Sequence, residues 1–263
     1  MLCPNCLQNV RQFDEKRQRD NSLTLTCPQC NEIVPIRYAQ DYDCYPPVVF
    51  SVVGLSGHGK TVFFSSMLLE FEQLASTHDA FSYAPLDEEG LITVRKAQRA
   101  LEAGSLPNMT PGNVFPKPVI LQVEGMEGAK DFRLLIYDIG GEAFDRVAGL
   151  RQYARYVSGG HSTVWLVSLP ILDDTAGKTA PRNLEDFVTR YLEAVKQLGG
   201  EAKDQGLLIV LTMGDRLLGR GDLPKAIRES LQGEAGRGDH CRLDALEQLS
   251  GVIEHWLDTK PGY

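Results

Sequence analysis

A glycine-rich stretch between two apolar runs constrains the fold of this chain more than any other feature. The stretch GLSGHGKT occupies residues 54–61, after the run VVFSVV at 48–53 and before the run VFFSSMLL at 62–69. The first run is apolar and largely β-branched, which suits a buried parallel strand. The second run has helical length and composition. The order strand, glycine loop, helix therefore predicts an α/β domain.

The loop has the spacing G-x-x-x-x-G-K-T of a phosphate-binding loop, the P-loop or Walker A motif. Gly54, Gly57 and Gly59 let backbone N–H groups wrap a phosphate in conformations that side chains forbid. The helix N-terminus adds a partial positive charge. In this motif Lys60 reaches the β- and γ-phosphates of a nucleotide, and the hydroxyl of Thr61 ligates Mg²⁺. A glycine-rich turn without a ligand is the alternative, and the flanking strand and helix argue against it.

A second strip, FRLLIYDIGGE at 132–142, combines a buried strand with an acidic residue and two glycines. Asp138 ends this strand, where an acidic side chain beside a P-loop can hold Mg²⁺ through water. Gly141 completes the spacing D-x-x-G, and a glycine lets a backbone N–H approach a γ-phosphate. A simple strand-to-loop turn is the alternative. The P-loop upstream favours the nucleotide site.

Two further strips belong to the same pattern. The apolar run GLLIVL at 206–211 predicts another buried strand, and TMGD follows it at 212–215. The loop GSLPNMTPG at 104–112 carries Thr110 and precedes a predicted strand, PVILQV at 118–123. An ordinary turn residue remains an open interpretation of Thr110, because threonine is frequent in loops.

Together these strips resemble the Ras-like (TRAFAC-class) GTPases over roughly residues 47–260, and DIGGE looks most like the DVGGQ of the Arf family. The resemblance implies a P-loop NTPase fold, a three-layer α/β/α domain with a mostly parallel sheet, which binds GTP or GDP with Mg²⁺. It implies that Thr212 and Asp215 recognise guanine and that Thr110 closes on Mg²⁺ and the γ-phosphate. Glu142 occupies the position at which the family's glutamine orients the attacking water.

This chain departs from the family pattern at three places. Met213 replaces the usual lysine, which weakens the expected preference for guanine. Glu142 puts negative charge near the γ-phosphate, so we expect slow hydrolysis that a partner accelerates, with Lys60, Thr110 and Glu142 as the catalytic residues. No sixth strand follows Asp215: the strand is lost, the chain is a fragment, or a partner supplies it. We therefore expect an exposed edge on the fifth strand.

Two function classes follow from the resemblance and its departures. The first is a GTP-hydrolysing switch, whose nucleotide state is read by a protein effector or an activating partner, with a second GTPase among the candidates. The second is a nucleotide-binding scaffold with little turnover. A P-loop kinase ranks last, because the sequence has no visible acceptor site and no cluster of lid arginines.

Four of the six cysteines lie in the first 30 residues, as the pairs CPNC and CPQC. Each pair places two thiolates on one tight turn, and two such turns can surround Zn²⁺ tetrahedrally. Strand-like segments lie at 22–26 and 33–36, so the unit resembles a zinc ribbon. Disulfides are the alternative, which the lack of a secretory signal disfavours. The predicted zinc ligands are Cys3, Cys6, Cys27 and Cys30.

The expected organisation is a zinc ribbon at 1–40, a linker with two prolines at 41–47 and the GTPase domain at 48–263. A ribbon whose four sulfurs all bind the metal has no open position for catalysis, so it is structural or docks a partner. The combination resembles the bacterial double-GTPase group. The other predicted elements are helices at 87–103, 183–198 and 243–257 and a strand at 162–169.

Composition and charge narrow the remaining function classes. The 263 residues carry a net charge of −8, which argues against nucleic acid as the main partner. No apolar run reaches the roughly 18 residues that a membrane span needs. The N-terminus lacks the basic and apolar regions of a signal peptide. We therefore expect a cytoplasmic protein.

Overall fold

Two β-sheets and five α-helices form the part of the chain that the structure describes. The structure is a computed structural model, and it describes residues 1–17, 21, 23–105, 115–158, 162–168, 180–200 and 206–213. The larger sheet has six strands with helices on both faces, which confirms the predicted α/β class. Within the described residues, no helix is both long enough and apolar enough for a membrane crossing.

The small sheet lies near the N-terminus and has three antiparallel strands in sequence order. These strands are β1 (Asp14–Arg17), β2 (Leu23–Thr26) and β3 (Ile33–Val34), and the short helix α1 (Ile36–Gln40) follows them. The strand predicted at 33–36 therefore ends earlier, at Val34. Pro35 precedes the first residue of α1, and a proline has no N–H with which to continue a β-ladder.

The strands of the large sheet are β4 (Pro47–Val53), β5 (Ser82–Pro85), β6 (Val119–Glu124), β7 (Phe132–Ile136), β8 (Ser162–Ser168) and β9 (Gly206–Thr212). Their order is β5-β6-β7-β4-β8-β9. The neighbours β7, β4, β8 and β9 run parallel, whereas β6 runs antiparallel to both β5 and β7. The sheet is therefore mixed. Every strand predicted after residue 47 is present, and β5 is an additional one.

Helices cover the large sheet on both faces. They are α2 (Lys60–Thr77), α3 (Glu88–Glu102), α4 (Val147–Tyr153) and α5 (Ala180–Gln197). Phe64 and Leu68 of α2 and Val94 of α3 are buried against one face. Phe187 and Tyr191 of α5 are buried against the other. The helices α2, α3 and α5 were predicted, α2 from the length and composition of its apolar run and α3 and α5 from apolar residues at helical spacing.

The N-terminal unit, residues 1–40, packs on the face of the large sheet that carries α4 and α5. Its buried side chains Cys3, Phe13 and Tyr38 belong to the same apolar cluster as Leu135 and Tyr137 of the sheet region. The segment predicted as a linker takes part in this packing, since the hydroxyl of its Tyr45 donates to a carboxylate oxygen of β6 at 2.7 Å. The two parts of the chain therefore share one core.

The central strand β4 has β7 on one side and β8 on the other. The chain leaves β4, builds the strands on the β7 side, and then crosses to the β8 side, so strand order reverses at β4. In open α/β sheets, ligands bind outside the carboxyl ends of the strands at such a reversal. Gly54 follows the carboxyl end of β4, and Asp138 follows that of β7.

Candidate functional site

The glycine loop joins β4 to α2 at the reversal point of the sheet. Gly59 immediately precedes α2 with φ +83°, a left-handed conformation that a side chain would strain. No side chain caps the start of α2. The first N–H groups of a helix have no partner within the helix, and their dipoles favour an anion. The helix dipole at the start of α2 would therefore favour an anion in the loop.

Lys60 is the first residue of α2, and its side chain is only 6 % exposed. Its Nζ donates hydrogen bonds to the carbonyl oxygens of Gly54 at 2.8 Å and Leu55 at 3.1 Å. It also lies 5.3 Å from the centre of the Phe144 ring. Burial lowers the pKa of Lys60 to about 8, against the opposing effect of nearby carboxylates such as Asp138. An anion in the loop would favour the charged ammonium.

Thr61 and Asp138, the two described residues predicted to hold Mg²⁺, lie in direct contact. The Thr61 hydroxyl donates to Oδ2 of Asp138 at 3.0 Å. Hydroxyl and carboxylate oxygens are the hard ligands that Mg²⁺ takes from proteins, with its other positions filled by water or phosphate. The donor set therefore fits a Mg²⁺ ion that binds together with a phosphate group.

The D-x-x-G turn after β7 lies against the glycine loop. A Cβ atom added to Gly141 would stand 2.1 Å from the backbone nitrogen of Ser56, so only glycine fits there. The next residue, Glu142, is exposed and accepts a hydrogen bond at 3.4 Å from the Ser56 hydroxyl. The structure thus brings the predicted residues Gly141 and Glu142 to the loop.

His58 fastens the glycine loop to β8 and to the end of β9, a role that sequence analysis did not assign to it. The side chain is 5 % exposed, and burial lowers the pKa of the imidazole. Nδ1 of the neutral ring lies 2.9 Å from the carbonyl oxygen of Leu166, to which it donates. The hydroxyl of Thr212 donates to the His58 carbonyl at 3.0 Å. Both partners lie more than 100 positions from His58 in the chain, so no local sequence pattern predicts these contacts.

The predicted guanine loop is described only as far as Met213. This residue has φ +58°, and its sulfur accepts a hydrogen bond at 3.4 Å from the Ser168 hydroxyl. Asp215 and Thr110 lie outside the described residues, as does the helix predicted at 243–257. Their roles stay predictions.

The four N-terminal cysteines form a cluster in which all sulfurs lie within 4.8 Å of one another. The Sγ atoms of Cys3 and Cys30 are 3.9 Å apart, and those of Cys6 and Cys27 are 3.8 Å apart. A disulfide would require about 2.05 Å. A tetrahedral Zn²⁺ with Zn–S bonds of about 2.3 Å sets its sulfurs about 3.8 Å apart. The four cysteines can therefore bind a metal such as zinc.

Burial raises the pKa of two of the four cysteine thiols. Cys3, Cys6 and Cys27 are buried, and Cys30 is half-buried. Burial raises the pKa of Cys3 well above its usual range and raises that of Cys30 to about 11. A metal ion binds thiolates, so its binding would release protons from these groups.

A cavity of about 970 Å³ is lined by residues of both the N-terminal unit and the glycine-loop side of the large sheet. Thr61 and Asp138 line it, together with apolar side chains of α2 and α3. Asn5 and Ile33 of the N-terminal unit line it as well. Asn5 stands between Cys3 and Cys6 in the chain. The N-terminal unit and the Thr61–Asp138 pair therefore border one space.

Comparison with protein-family models finds no match to this chain, and a search of curated proteins finds none either.

Proposed function

We propose that this chain is a guanine-nucleotide-binding switch protein that hydrolyses GTP slowly in the presence of Mg²⁺. The observation that carries the proposal is the contact between Thr61 and Asp138 beside the buried Lys60. A glycine loop, a buried lysine and a hydroxyl–carboxylate pair at the carboxyl edge of a sheet form the combination that P-loop NTPases use for a nucleotide phosphate and its metal ion. The fold proposed is accordingly a Ras-like P-loop domain.

In this proposal the loop from Gly54 to Gly59 cradles the phosphates and Lys60 neutralises them. Thr61 and Asp138 hold Mg²⁺, which supplies charge neutralisation at the β- and γ-phosphates. Thr110 would join them when GTP is bound. Gly141 supports this arrangement, since its contact with Ser56 brings the D-x-x-G turn to the loop.

The proposed preference for guanine rests on Thr212 and Asp215, which stand in the T-x-x-D spacing of the family. The hydrogen bond from Thr212 to the His58 carbonyl supports it, because it joins the end of β9 to the glycine loop. A carboxylate at 215 would accept hydrogen bonds from the N1–H and the 2-amino group of guanine, both of which adenine lacks. Met213 covers the base only by apolar contact, so we expect discrimination between guanine and adenine to be weaker than it is with lysine at this position.

A second candidate function, a nucleotide-binding scaffold with little turnover, is favoured by Glu142. Its carboxylate stands where the family has a neutral glutamine, and it accepts a hydrogen bond from Ser56 in the glycine loop. Negative charge at this point opposes the negative γ-phosphate and the attacking water. The two candidates share the same binding site and differ only in the rate of phosphate release.

We further propose that the cysteine cluster is a structural zinc site of the ribbon type. The four sulfurs lie within 4.8 Å of one another, and a zinc ion bound by all four would have no position left for a substrate. The bound ion would supply folding free energy to a unit too small to form a large core of its own.

The direct test is to purify the chain, release bound nucleotide with acid, identify it, and follow phosphate release from GTP and from ATP. We expect guanine nucleotide, Mg²⁺-dependent binding, and slow phosphate release. Lys60→Ala is the matched loss-of-binding variant. Retention of GTP without phosphate release would select the scaffold. A clear preference for ATP, or no nucleotide binding, would contradict both candidates.

A further inference from the structure

Tyr137 joins the cysteine cluster to the proposed metal site. It is fully buried and directly precedes Asp138 in the chain. Its hydroxyl donates a 2.6 Å hydrogen bond to the carbonyl oxygen of Pro4, which lies in the turn between Cys3 and Cys6. The side chain of Tyr137 thus contacts the first cysteine turn, and the next residue in the chain is Asp138, the proposed Mg²⁺ ligand.

The ring of Tyr137 is also held in place, by contacts with two other aromatic rings. It stacks on Tyr156 at 5.1 Å between ring centres with an interplanar angle of 7°. It also contacts Phe115 at 5.8 Å. Interiors packed at this density transmit displacement rather than absorb it. A movement of Pro4 would therefore reach the backbone at 137–138.

Arg133 makes a second connection at the other end of β7. Its side chain is fully buried, and its guanidinium donates to the carbonyl oxygens of Tyr38 at 2.6 Å and Arg37 at 2.7 Å. Asp41 lies 3.8 Å from the same group. Arg133 lies near the start of β7 and Tyr137 directly follows its end, so the N-terminal unit contacts β7 at both ends.

We propose that metal binding at the four cysteines and Mg²⁺–nucleotide binding at the glycine loop are thermodynamically coupled, with Tyr137 as the positioning residue for Asp138. This inference rests on the proposed nucleotide-binding function. According to this inference, the N-terminal unit affects the affinity for nucleotide and is not a separate docking module. The coupling must be reciprocal: the nucleotide strengthens metal binding by the same factor as the metal strengthens nucleotide binding.

The physical basis is the state of the first cysteine turn. A metal ion ties the sulfurs of Cys3 and Cys6 to those of the second pair, which fixes the Pro4 carbonyl between them. Without the ion this turn loses its cross-link. If the turn then moves, the end of β7 must move with it to keep the hydrogen bond of the Tyr137 hydroxyl. Otherwise that buried hydroxyl loses its partner, which costs free energy. Either outcome disturbs Asp138.

The test measures zinc release rather than enzyme activity. The zinc-loaded full chain is mixed with a chromophoric chelator, with and without Mg²⁺ and a non-hydrolysable GTP analogue at saturation. Coupling of ordinary strength predicts that the analogue lowers the Kd for zinc, obtained from the zinc lost to the chelator at equilibrium, by about fivefold or more. The affinity for the analogue is measured first on the same zinc-loaded protein, so that nucleotide binding and coupling are judged separately.

Tyr137→Phe tests the assigned route, because it removes only the hydroxyl that contacts Pro4. Tyr38→Phe is the matched control: it removes a hydroxyl bond to the Leu2 carbonyl, which lies wholly within the N-terminal unit. We expect the effect of the analogue on zinc loss to vanish in Tyr137→Phe and to persist in Tyr38→Phe. Zinc content and thermal melting of both variants verify that they fold.

Three results would overturn the inference. If the analogue binds and zinc loss from the unmodified chain does not change, the coupling is absent although the proposed function stands. If the effect persists in Tyr137→Phe, or disappears equally in both variants, Tyr137 is not the route. If the analogue does not bind the zinc-loaded chain at all, the proposed function and the coupling fail together.

Discussion

The hydroxyl of Thr61 and Oδ2 of Asp138 lie 3.0 Å apart, although 77 positions separate the two residues in the chain. Thr61 belongs to the first turn of α2, and Asp138 follows the carboxyl end of β7. Parallel pairing of β4 with β7 brings these positions to the same edge of the sheet. The proximity of the pair is thus a consequence of the fold.

Replacement of Asp138 by asparagine should weaken Mg²⁺-dependent nucleotide binding. The amide keeps the size of the side chain and removes the charge that a cation requires. Loss of one charged interaction of about 1.5–3 kcal/mol corresponds to a Kd that rises roughly tenfold to one-hundredfold. Binding of a fluorescent GDP is titrated with Mg²⁺ and with EDTA. The exposed Asp79→Asn serves as the control, and an equal Mg²⁺ response in both variants would contradict the assignment.

Nucleotide affinity should fall as pH rises above 8. Burial lowers the pKa of Lys60 to about 8 in the free protein, and bound phosphates would raise the pKa again. Below pH 8 the ammonium is already charged and affinity is full. Above pH 8 binding must also take up a proton, so the Kd rises about tenfold for each pH unit until the pKa of the complex is reached.

The measurement is a series of Kd values between pH 7 and pH 9 in a buffer of constant ionic strength. Lys60→Arg is the matched variant, because its guanidinium keeps the charge throughout this range. We expect a weaker but pH-independent Kd for this variant. A slope of equal size in both proteins would assign the titration to another group.

Removal of the metal should destabilise the whole described fold. The cysteine cluster shares its apolar core with the large sheet, and a structural zinc ion contributes free energy directly to folding. We expect about one zinc per chain and a fall in Tm of at least about 10 °C on chelation or in Cys27→Ser, which corresponds to several kcal/mol. Cys44→Ser, at an exposed single cysteine, should leave zinc content and Tm unchanged. An unchanged Tm after complete zinc removal would refute the structural role.

Local patterns anticipated most of the large sheet, because buried strands and amphipathic helices carry their periodicity in consecutive residues. The same patterns missed β1, whose four residues are all charged and exposed. They also missed β5, a four-residue strand without an apolar run. Motif spacing and the flanking strands and helix had singled out Lys60, Thr61, Asp138 and Gly141 as candidate site residues.

Hydrogen bonds between residues far apart in the chain could not be predicted from the sequence for a different reason. Arg133 lies within an apolar strand, where a charged residue has no local partner, and its hydrogen bonds reach back 95 and 96 positions. The same is true of Tyr137, whose acceptor on Pro4 lies 133 positions away. Neither contact has a periodicity, so both became visible only when the chain was folded.

Substitution of Arg133 should therefore test whether residues 1–40 and the large sheet unfold together. The guanidinium makes two hydrogen bonds in a fully buried position, and a lysine cannot reproduce their forked geometry. We expect Arg133→Lys to lower the free energy of unfolding by about 2–4 kcal/mol, whereas Arg37→Lys, at an exposed side chain, should have little effect. Urea denaturation of the zinc-loaded protein, followed by tryptophan fluorescence and by zinc release, should give one shared transition. Zinc release at a lower urea concentration than the fluorescence change would instead mean that the N-terminal unit unfolds independently of the sheet.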